Sequence, residues 1–265
     1  MIEFGLGTIG IGKPWGFANP TVPDERHALA LLERAFAIGV RYFDTAPSYG
    51  LSEQRLGSFL AALTATERAS LTIATKFGEH WDFAREEPYV DHGFDALRRS
   101  VDGSLALLGR IDFLQLHKTT PDVLRSDDLA RAWEYAASLG ITNIGASVSD
   151  MESADLAIAW PACRILQVPY NAAQETFGAT IDRAAARGIR IAVNRPFGMG
   201  RMLYENRELT KTAAFQFILR KRFNGVILSG TKSPGHLEEN WAAFGEASRE
   251  RQGASLGWST RPIFP

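Results

Sequence analysis

Short apolar segments alternate with longer amphipathic segments along the whole chain, and this rhythm predicts an α/β fold of the (β/α)8 or TIM-barrel type. Eight units of strand and helix follow one another, and parallel strands need such helical crossovers to connect them. The length of 265 residues agrees with the roughly 250 residues that an eight-stranded parallel barrel typically occupies. We therefore expect residues 1–265 to form a single barrel domain.

The predicted strands are short and rich in apolar or β-branched residues, as buried parallel strands are. In chain order they are Phe4–Thr8, Val40–Asp44, Leu71–Lys76, Asp112–His117, Ile141–Ala146, Ile165–Val168, Ile189–Val193 and Gly225–Leu228.

The predicted helices carry apolar residues at helical spacing, as Leu29, Leu32 and Phe36 do in the first of them. Gly39 ends this helix, and Ser52 is placed to cap the next one. In chain order they are Asp24–Ile38, Ser52–Leu63, Asp91–Leu108, Pro121–Leu139, Asp150–Trp160, Glu175–Arg187, Glu208–Arg222 and Ser233–Gly245.

The structural alternative is a doubly wound open sheet, because Gly5, Gly7 and Gly10 nearly reproduce the Gly-x-Gly-x-x-Gly phosphate motif of that fold. The match begins inside the predicted first strand, and Pro14 with two further glycines follows where that motif needs a helix. No acidic residue ends a second strand about 20 residues further on, as the motif requires. We therefore favour the closed barrel.

The composition argues against several classes of partner. The formal net charge is −1 and no block of Lys and Arg exceeds three residues, so there is no electrostatic footprint for nucleic acid or an anionic membrane. No apolar run approaches the roughly 20 residues of a membrane-spanning helix, and the N-terminus lacks the basic region of a signal peptide. The lone Cys163 indicates neither a disulfide nor a metal cluster. We expect a soluble cytoplasmic protein without a metal, and its oligomeric state stays open.

Four ionisable side chains are expected at the rim where barrel enzymes build their active sites, the carboxyl ends of the strands. Asp44, Lys76 and His117 end the second, third and fourth predicted strands, and Tyr49 lies in the turn after Asp44. Each alone has a structural explanation, as a loop cap, a strand end or a packed ring. Together they favour a catalytic group, because a charge that ends a core strand is costly to bury unless a neighbouring strand pairs it.

The chemistry of these four side chains suits proton transfer to a carbonyl oxygen. A phenol has an ordinary pKa of about 10, and a nearby ammonium lowers that pKa by favouring the phenolate. Asp44 would hold Lys76 in its charged form, and a neutral His117 would steer the substrate oxygen toward Tyr49. An acid placed over a carbonyl oxygen also requires a hydride source at the carbon.

The segments that carry these residues resemble the aldo-keto reductase family. The resemblance lies in GVRYFDTAPSYG at 39–50, SE at 52–53, LG at 56–57, ATKFG at 74–78 and DFLQLH at 112–117. It implies that Tyr49 is the general acid/base, that Lys76, Asp44 and His117 assist it, and that a nicotinamide cofactor supplies the hydride.

A phosphate site is predicted at the other side of the same rim. Ser233 and Pro234 follow the last strand as N-cap and first residue of a helix, whose free N–H groups favour an anion. Barrels often bind phosphate with the loops after strands seven and eight, and the glycines of Asn194–Gly200 allow a close backbone approach. An ordinary capped helix is the structural alternative.

The resemblance to the family continues through GAS at 145–147, QVPYN at 167–171, GTKSP at 230–234 and LEEN at 237–240. It implies that Ser147 and Gln167 hold the nicotinamide carboxamide and that the last two segments hold the adenosine phosphates and adenine. The residues expected to bind the cofactor are Thr8, Ser147, Gln167, Asn194, Arg195, Gly230, Thr231, Lys232, Ser233, His236, Glu239 and Asn240.

Four positions depart from the family pattern. Asn194 stands where many members have an aromatic residue, and Val148 stands where an asparagine often follows the serine. Gly230 and His236 stand where some members bind a 2′-phosphate with a lysine and an arginine, and Lys232 is available to replace either. We expect NADP(H) to be favoured modestly and NAD(H) to be usable.

The predicted function is reversible hydride transfer between the nicotinamide and a small aldehyde, ketone or alcohol, either sugar-like or aromatic. Its direction in the cell stays open. The alternatives are a regulatory barrel that binds the cofactor with little turnover, and a hydrolase or lyase with Lys76 as a Schiff base. Candidate walls of the substrate pocket are Trp15, Phe17, Trp81, Phe83, Lys118 and Trp258.

Overall fold

The computed structural model describes residues 1–16, 21–206 and 208–256, with 252–256 as backbone only. The strands are β1 Ile2–Gly7, β2 Tyr42–Asp44, β3 Thr72–Phe77, β4 Glu79–Asp82, β5 Glu87–Val90, β6 Phe113–Leu116, β7 Ile144–Ser147, β8 Cys163–Pro169, β9 Arg190–Asn194 and β10 Gly225–Gly230. Eight of them close into a parallel barrel in the order β1-β10-β9-β8-β7-β6-β3-β2. This confirms the predicted fold class and excludes the open doubly wound sheet.

Helices connect the barrel strands and cover the outside of the barrel. They are α1 Glu25–Ala37, α2 Ser52–Ala62, α3 Ala65–Ala69, α4 Phe94–Leu108, α5 Pro121–Leu124, α6 Asp127–Ser138, α7 Met151–Ala159, α8 Gly178–Ala186, α9 Arg201–Glu205, α10 Lys211–Leu219 and α11 Pro234–Leu256. Two short 3-10 turns lie at Ile9–Ile11 and Gly198–Gly200.

Apolar side chains pack in two places, as the predicted alternation of strands and helices requires. The larger core lies between the barrel and its helices. A smaller cluster inside the barrel includes Tyr42, Ile165 and Val226, each fully buried. The barrel closes where β1 pairs with β10, from Ile2 opposite Gly225 to Gly7 opposite Gly230.

Some helix boundaries differ from the predicted ones for local reasons. The segment predicted as one helix, 121–139, is two helices, because the Ser126 hydroxyl caps α6 by accepting the Leu129 N–H at 3.2 Å. Ser52, which we expected to cap α2, is the first residue of that helix, and Leu51 holds the cap position without a side-chain bond. The Ser52 hydroxyl instead donates to Thr8 Oγ1 at 2.7 Å.

The sequence did not predict the antiparallel hairpin of β4 and β5. It follows β3 directly, and its two strands pair only with each other among the described strands. A half-buried strand is recognised in a sequence by apolar residues that alternate with polar ones. Glu87–Val90 is exposed at every position, so it has no buried face that would require this alternation. The hairpin lies at the same rim as the four ionisable residues.

Candidate active site

A cavity of about 760 Å³ opens at the carboxyl ends of the barrel strands, where the sequence placed the site. Asp44, Tyr49 and His117 line it. Lys76 lies directly beneath them and is 1% exposed. The structure therefore brings the four predicted catalytic residues together from β2, β3, the turn after β2 and the residue after β6.

The lysine and the aspartate form a buried ion pair. Lys76 Nζ donates to Asp44 Oδ1 at 2.5 Å and to the Thr45 carbonyl at 2.9 Å. Burial alone lowers the pKa of Lys76, but Asp44 and Tyr49 outweigh it, and the net direction is upward. Gln115 Nε2 donates to the other carboxylate oxygen at 3.4 Å. The ammonium is therefore held charged, as the sequence predicted.

A charged, paired Lys76 argues against the Schiff-base alternative. A lysine that attacks a carbonyl carbon must be deprotonated, which desolvation or a neighbouring cation usually achieves. Here the contact with Asp44 stabilises the protonated form instead.

The phenol of Tyr49 lies between the ion pair and the cavity. Lys76 Nζ is 4.9 Å from the centroid of its ring. Burial raises the pKa of Tyr49, the Lys76 ammonium opposes the rise, and the Asp44 carboxylate adds to it. The ammonium lowers this pKa as we predicted, but the net direction is upward instead of downward. The difference arises because burial outweighs the ammonium, so the phenol is protonated near neutral pH.

Two glycines let the turn that carries Tyr49 approach the loop after β1. A Cβ on Gly12 would lie 1.8 Å from the Tyr49 carbonyl oxygen, and one on Gly50 would lie 2.4 Å from the Gly12 carbonyl oxygen. Gly50 also has φ +59°, a left-handed conformation that favours glycine. Leu51 N donates to the Gly12 carbonyl at 3.0 Å. These contacts fix the backbone of Tyr49 and thereby the place from which its phenol side chain extends.

His117 approaches Tyr49 from the side, with ring centroids 5.9 Å apart and planes at 82°. Burial lowers the pKa of His117 well below its usual value, and the Lys76 and Lys118 ammonium groups add to this. The imidazole is therefore neutral near pH 7, in agreement with the sequence prediction. Its Nδ1 is 3.1 Å from Glu79 Oε2.

A second buried carboxylate lies behind β3. Glu53 Oε1 accepts the Thr75 hydroxyl at 2.5 Å and the Ser104 hydroxyl at 2.8 Å. Burial raises the pKa of Glu53 to about 7, against the lowering by these two hydroxyls. Glu53 thus stabilises β3, the strand that carries Lys76, through its hydrogen bond with Thr75.

Most of the residues expected to bind the cofactor line the same cavity as Tyr49. They are Ser147, Gln167, Asn194, Arg195, Gly230, Thr231, Lys232, Ser233 and His236.

The other three expected cofactor residues do not line the cavity. The Thr8 hydroxyl donates to the Asp44 carbonyl at 2.8 Å. Glu239 pairs with Lys211 at 2.5 Å on the outer surface. The Asn240 amide donates to the Ser229 hydroxyl at 3.0 Å.

Two amide side chains on the β8 and β9 side of the cavity keep oxygen atoms without a partner. Gln167 and Asn194 line the cavity, and the buried atoms Gln167 Oε1 and Asn194 Oδ1 accept no hydrogen bond. An unsatisfied buried polar atom costs about 1–3 kcal/mol. Such atoms are therefore suited to a ligand that carries N–H donors.

The N-terminus of α11 forms the far end of the cavity. The Ser233 hydroxyl accepts the His236 N–H at 3.4 Å, which confirms Ser233 as the predicted cap. Lys232 Nζ donates to the Thr21 carbonyl at 2.7 Å, and burial lowers the pKa of Lys232. Gly230 and Gly7 face each other closely at this end. A helix terminus, a lysine and bare backbone together suit an anionic group.

The candidate substrate walls divide between two cavities. Trp15 and Lys118 line the main cavity. Trp81 and Phe83 line a neighbouring one of about 390 Å³ beneath the hairpin. Phe17 and Trp258 lie outside the described residues.

Two charged residues at the substrate end were missed by the sequence analysis. Lys13 Nζ lies 5.7 Å from the Tyr49 ring centroid and 5.4 Å from that of Trp81. Glu79 is buried between His117 and Lys118. Their position in the sequence could have indicated them, because both residues follow barrel strands and therefore lie at the rim where barrel enzymes build their active sites.

No helix in residues 1–16, 21–206 and 208–256 is long and apolar enough to cross a membrane. Within the same ranges, no three His, Cys, Asp or Glu side chains converge in a way that could hold a metal ion.

With the geometry established, comparisons identify similar proteins. The model of the aldo/keto reductase family matches residues 3–213. A solved structure from Pseudomonas aeruginosa, described as an aldo-keto reductase, superimposes with a TM-score of 0.78 at 28% identity, and covers 93% of this chain and 90% of that one. The holo form of an aldo-keto reductase from Bacillus halodurans has a TM-score of 0.74 at 20% identity, over 95% of this chain and 91% of that one.

Two curated relatives are similar in sequence over part of the chain. L-galactose dehydrogenase of Arabidopsis thaliana is 36% identical over 43% of this chain and 33% of its own length. D-threo-aldose 1-dehydrogenase of Pseudomonas sp is 33% identical over 59% of this chain and 56% of its own length. The chain thus spans between a third and about half of the length of these relatives.

Proposed function

The chain belongs to the aldo/keto reductase family of oxidoreductases, and on that premise we propose which reaction it performs. It transfers a hydride reversibly between C4 of a nicotinamide, NADP(H) or NAD(H), and a small aldehyde, ketone or alcohol. Tyr49 is the proton donor in reduction and the proton acceptor in oxidation.

One observation carries this proposal: a protonated phenol lies at the cavity wall with a buried ammonium beneath its ring. Lys76 Nζ is 4.9 Å from the Tyr49 ring centroid and 2.5 Å from Asp44 Oδ1. As the phenol gives up its proton, the ammonium stabilises the phenolate in a medium that excludes water. Asp44 keeps the ammonium in place and charged. His117 stands at the side of the phenol, where it orients the substrate oxygen.

The described residues fit a nicotinamide cofactor. The bare acceptors Gln167 Oε1 and Asn194 Oδ1 match the N–H donors of a carboxamide. The N-terminus of α11 and Lys232 match its phosphates, at the far end of the same cavity. The cofactor, when bound, supplies or accepts the hydride. The protein supplies the proton, the orientation and the exclusion of water.

A sugar-like substrate fits the relatives that are similar in sequence. Their names describe dehydrogenation of L-galactose and of a D-threo-aldose. The rim residues Lys13, Glu79 and Lys118 provide polar contacts for hydroxyl groups at the substrate end of the cavity.

Binding and turnover, measured in sequence, test the proposal. NADPH and NADH are first titrated into the protein, and a change in cofactor fluorescence is expected for both. A panel of aldoses, sugar alcohols, simple aldehydes and 4-nitrobenzaldehyde is then assayed with each cofactor. Absence of cofactor binding would refute the proposal. Binding without turnover of any carbonyl or alcohol would favour the regulatory alternative, and trapping of Lys76 by borohydride would favour a Schiff-base enzyme.

A further inference from the structure

Lys13 carries a half-buried ammonium at the substrate end of the cavity, close to the reacting phenol. Its Nζ lies 5.7 Å from the ring centroid of Tyr49 and 5.4 Å from that of Trp81, and these cation–π contacts hold it in place. Among the residues that the structure describes, this ammonium makes no hydrogen bond and no ion pair. The N–H donors of Lys13 are therefore available to a molecule in the cavity that it lines.

The backbone of Lys13 is held against the turn that carries Tyr49. Lys13 N donates to the Ile9 carbonyl at 3.2 Å, at the end of the 3-10 turn after β1. A Cβ on Gly50 would lie 3.4 Å from Lys13 Cβ, so the two segments are in close contact. The fold therefore fixes the place from which the Lys13 side chain extends beside the phenol.

The neighbouring charges leave the Lys13 ammonium without a counter-ion. The Glu79 carboxylate forms an ion pair with Lys118, with Oε1 3.4 Å from Nζ. Asp44, which also lines the cavity, is paired with the buried Lys76 at 2.5 Å. Of the five charged groups around the phenol in the described part of the chain, one positive charge is thus uncompensated. An anionic group on a ligand would neutralise it.

The pKa values of Lys13 and Lys76 show the effect of this difference in pairing. Burial lowers the pKa of both lysines. At Lys76 the Asp44 carboxylate is the largest opposing influence, and the net direction is upward. At Lys13 the Glu79 carboxylate opposes burial without outweighing it, Lys118 adds to the lowering, and the net direction is downward. A carboxylate from a ligand would supply to Lys13 what Asp44 supplies to Lys76.

We propose that Lys13 binds a carboxylate of the substrate, so that the enzyme selects carbonyl or alcohol substrates that carry an acid group, with sugar acids as the class. The reacting carbon lies at Tyr49 and the carboxylate at Lys13, in two separate subsites of one cavity. One uncompensated ammonium matches the single charge of a carboxylate, whereas a phosphate monoester carries roughly −1.5 to −2 charges. This inference rests on the proposed function and specifies its substrate class.

The variant Lys13→Met tests this subsite, because it removes the ammonium and keeps an unbranched side chain. The substrates are D-glucuronate and D-glucuronamide, in which a neutral amide of the same shape replaces the carboxylate. The ratio of their kcat/KM values should favour the carboxylate in the wild type. It should fall by about tenfold to a hundredfold in Lys13→Met, as expected for one lost charge-assisted hydrogen bond. Dividing the variant ratio by the wild-type ratio removes the intrinsic reactivity of the two sugars.

A second pair of substrates removes the dependence on sugar stereochemistry. 3-Formylbenzoate and 3-formylbenzamide differ in the same way and carry no chiral centre. The same shift in the ratio is expected in Lys13→Met. If the wild type favours the carboxylate in neither pair, the inference is overturned.

Two further variants separate the charge of Lys13 from the net charge of the protein. Lys13→Arg keeps the positive charge and should keep most of the preference for the carboxylate. Lys221→Met removes a lysine that does not line the cavity and pairs with Asp182 at 2.7 Å, and should leave the ratio unchanged. Equal losses in Lys13→Met and Lys221→Met would indicate a general effect of net charge and would contradict a carboxylate subsite at Lys13.

A phosphorylated sugar distinguishes the two kinds of anionic group. In the wild type, the carboxylate should raise kcat/KM over that of its amide by more than the phosphate of D-glyceraldehyde 3-phosphate raises it over that of D-glyceraldehyde. A larger gain from the phosphate would identify a dianion as the preferred group and would refute the assignment to sugar acids.

Equilibrium binding separates failure of the inference from failure of the proposed function. D-Glucuronate and D-glucuronamide are titrated into the protein in a calorimeter, and the wild type should bind the carboxylate at least about tenfold more tightly than Lys13→Met does. If the substrates turn over but neither binding nor the kcat/KM ratio depends on Lys13, the reaction class stands and the inference is refuted. If no carbonyl or alcohol turns over while binding of the carboxylate depends on Lys13, the subsite is supported and the reaction class is refuted.

Discussion

Two groups of residues around the cavity differ in whether their polar atoms have partners within the protein. On the side of the tetrad, Asp44, Tyr49, Lys76 and His117, the charged groups are paired before any ligand arrives. On the β8–β9 wall, which carries Gln167 and Asn194, buried oxygen atoms have no partner. Under the proposed function this difference corresponds to two tasks: the tetrad keeps fixed protonation states between turnovers, whereas the wall binds and releases the cofactor.

The largest effect is expected from the tetrad. Tyr49→Phe keeps the buried ring and removes only the proton that is transferred, so kcat should fall by the ~10²–10⁴-fold typical of a lost general acid. Cofactor affinity should stay within about twofold, because the phenol is not on the β8–β9 wall. Steady-state kinetics and a fluorescence titration check both. Near-normal turnover would remove Tyr49 from the mechanism.

Glu53, which supports the tetrad from below, should make stability depend on pH. Its folded pKa of about 7 lies above the ordinary 4.5, so its contribution is complete below pH 4.5 and is lost as pH rises through 7. The loss should be about 3 kcal/mol, from 1.36 kcal/mol per pKa unit. The free energy of unfolding of the wild type minus that of Glu53→Gln, measured with urea, should fall by this amount.

The matched control for this experiment is Glu67→Gln. Glu67 is an exposed glutamate in the capping box of α3, where hydrogen bonds to Thr64 lower its pKa. It should not produce a decline between pH 4.5 and 7. If the free energies of unfolding of the wild type and of Glu53→Gln changed with pH in parallel, ionisation of the Glu53 carboxyl would not lower the stability of the fold.

The end of the cavity at the N-terminus of α11 should determine whether the protein prefers NADPH or NADH. Losing one charge-assisted contact costs about 1.5–3 kcal/mol, so Lys232→Ala should reduce the preference for NADPH over NADH by roughly tenfold or more. Michaelis constants for both cofactors check this. Lys211→Ala removes a lysine from the outer surface, where it pairs with Glu239, and should leave the ratio unchanged. A strong NADH preference in the wild type would contradict the assignment.

The smallest effect is expected on the β8–β9 wall. Gln167→Met removes one of the bare acceptors and keeps the volume of the side chain, so the dissociation constant of NADPH should rise by up to about tenfold, the worth of one hydrogen bond. ADP-ribose lacks the nicotinamide and should bind both proteins equally. An equal loss for ADP-ribose would place Gln167 at another part of the cofactor.

The tetrad could be predicted from sequence because its signals are local. A glycine stops the helix before β2, and short apolar runs end in Asp44, Lys76 and the residue after β6. Parallel pairing then brings those ends to one rim, with Asp44 opposite Ala74 and Lys76 opposite Gln115 in the registers of β2, β3 and β6. Strand order and chain direction therefore place Asp44, Lys76 and His117, whereas the position of Tyr49 also depends on the contact between its turn and the loop after β1.

Glu79 and the orientation of Glu239 could not be predicted because they depend on distant partners. Glu79 follows a strand, but its meaning comes from His117 and Lys118, which lie after another strand. The resemblance selected the segment that contains Glu239 as part of the cofactor site, whereas the Glu239 side chain pairs with Lys211 on α10. A motif fixes where a backbone segment runs, and the neighbouring helix decides which of its side chains face the cavity.

The hairpin of β4 and β5 pairs with itself and adds no strand to the barrel. It nevertheless carries Glu79 Oε2 to within 3.1 Å of His117 Nδ1, and the ring centroid of Trp81 to within 5.4 Å of Lys13 Nζ. Residues 79–90 therefore contribute side chains to the rim without contributing to the hydrogen bonds that close the barrel, so substitutions in the hairpin need not disturb the pairing of the closed sheet.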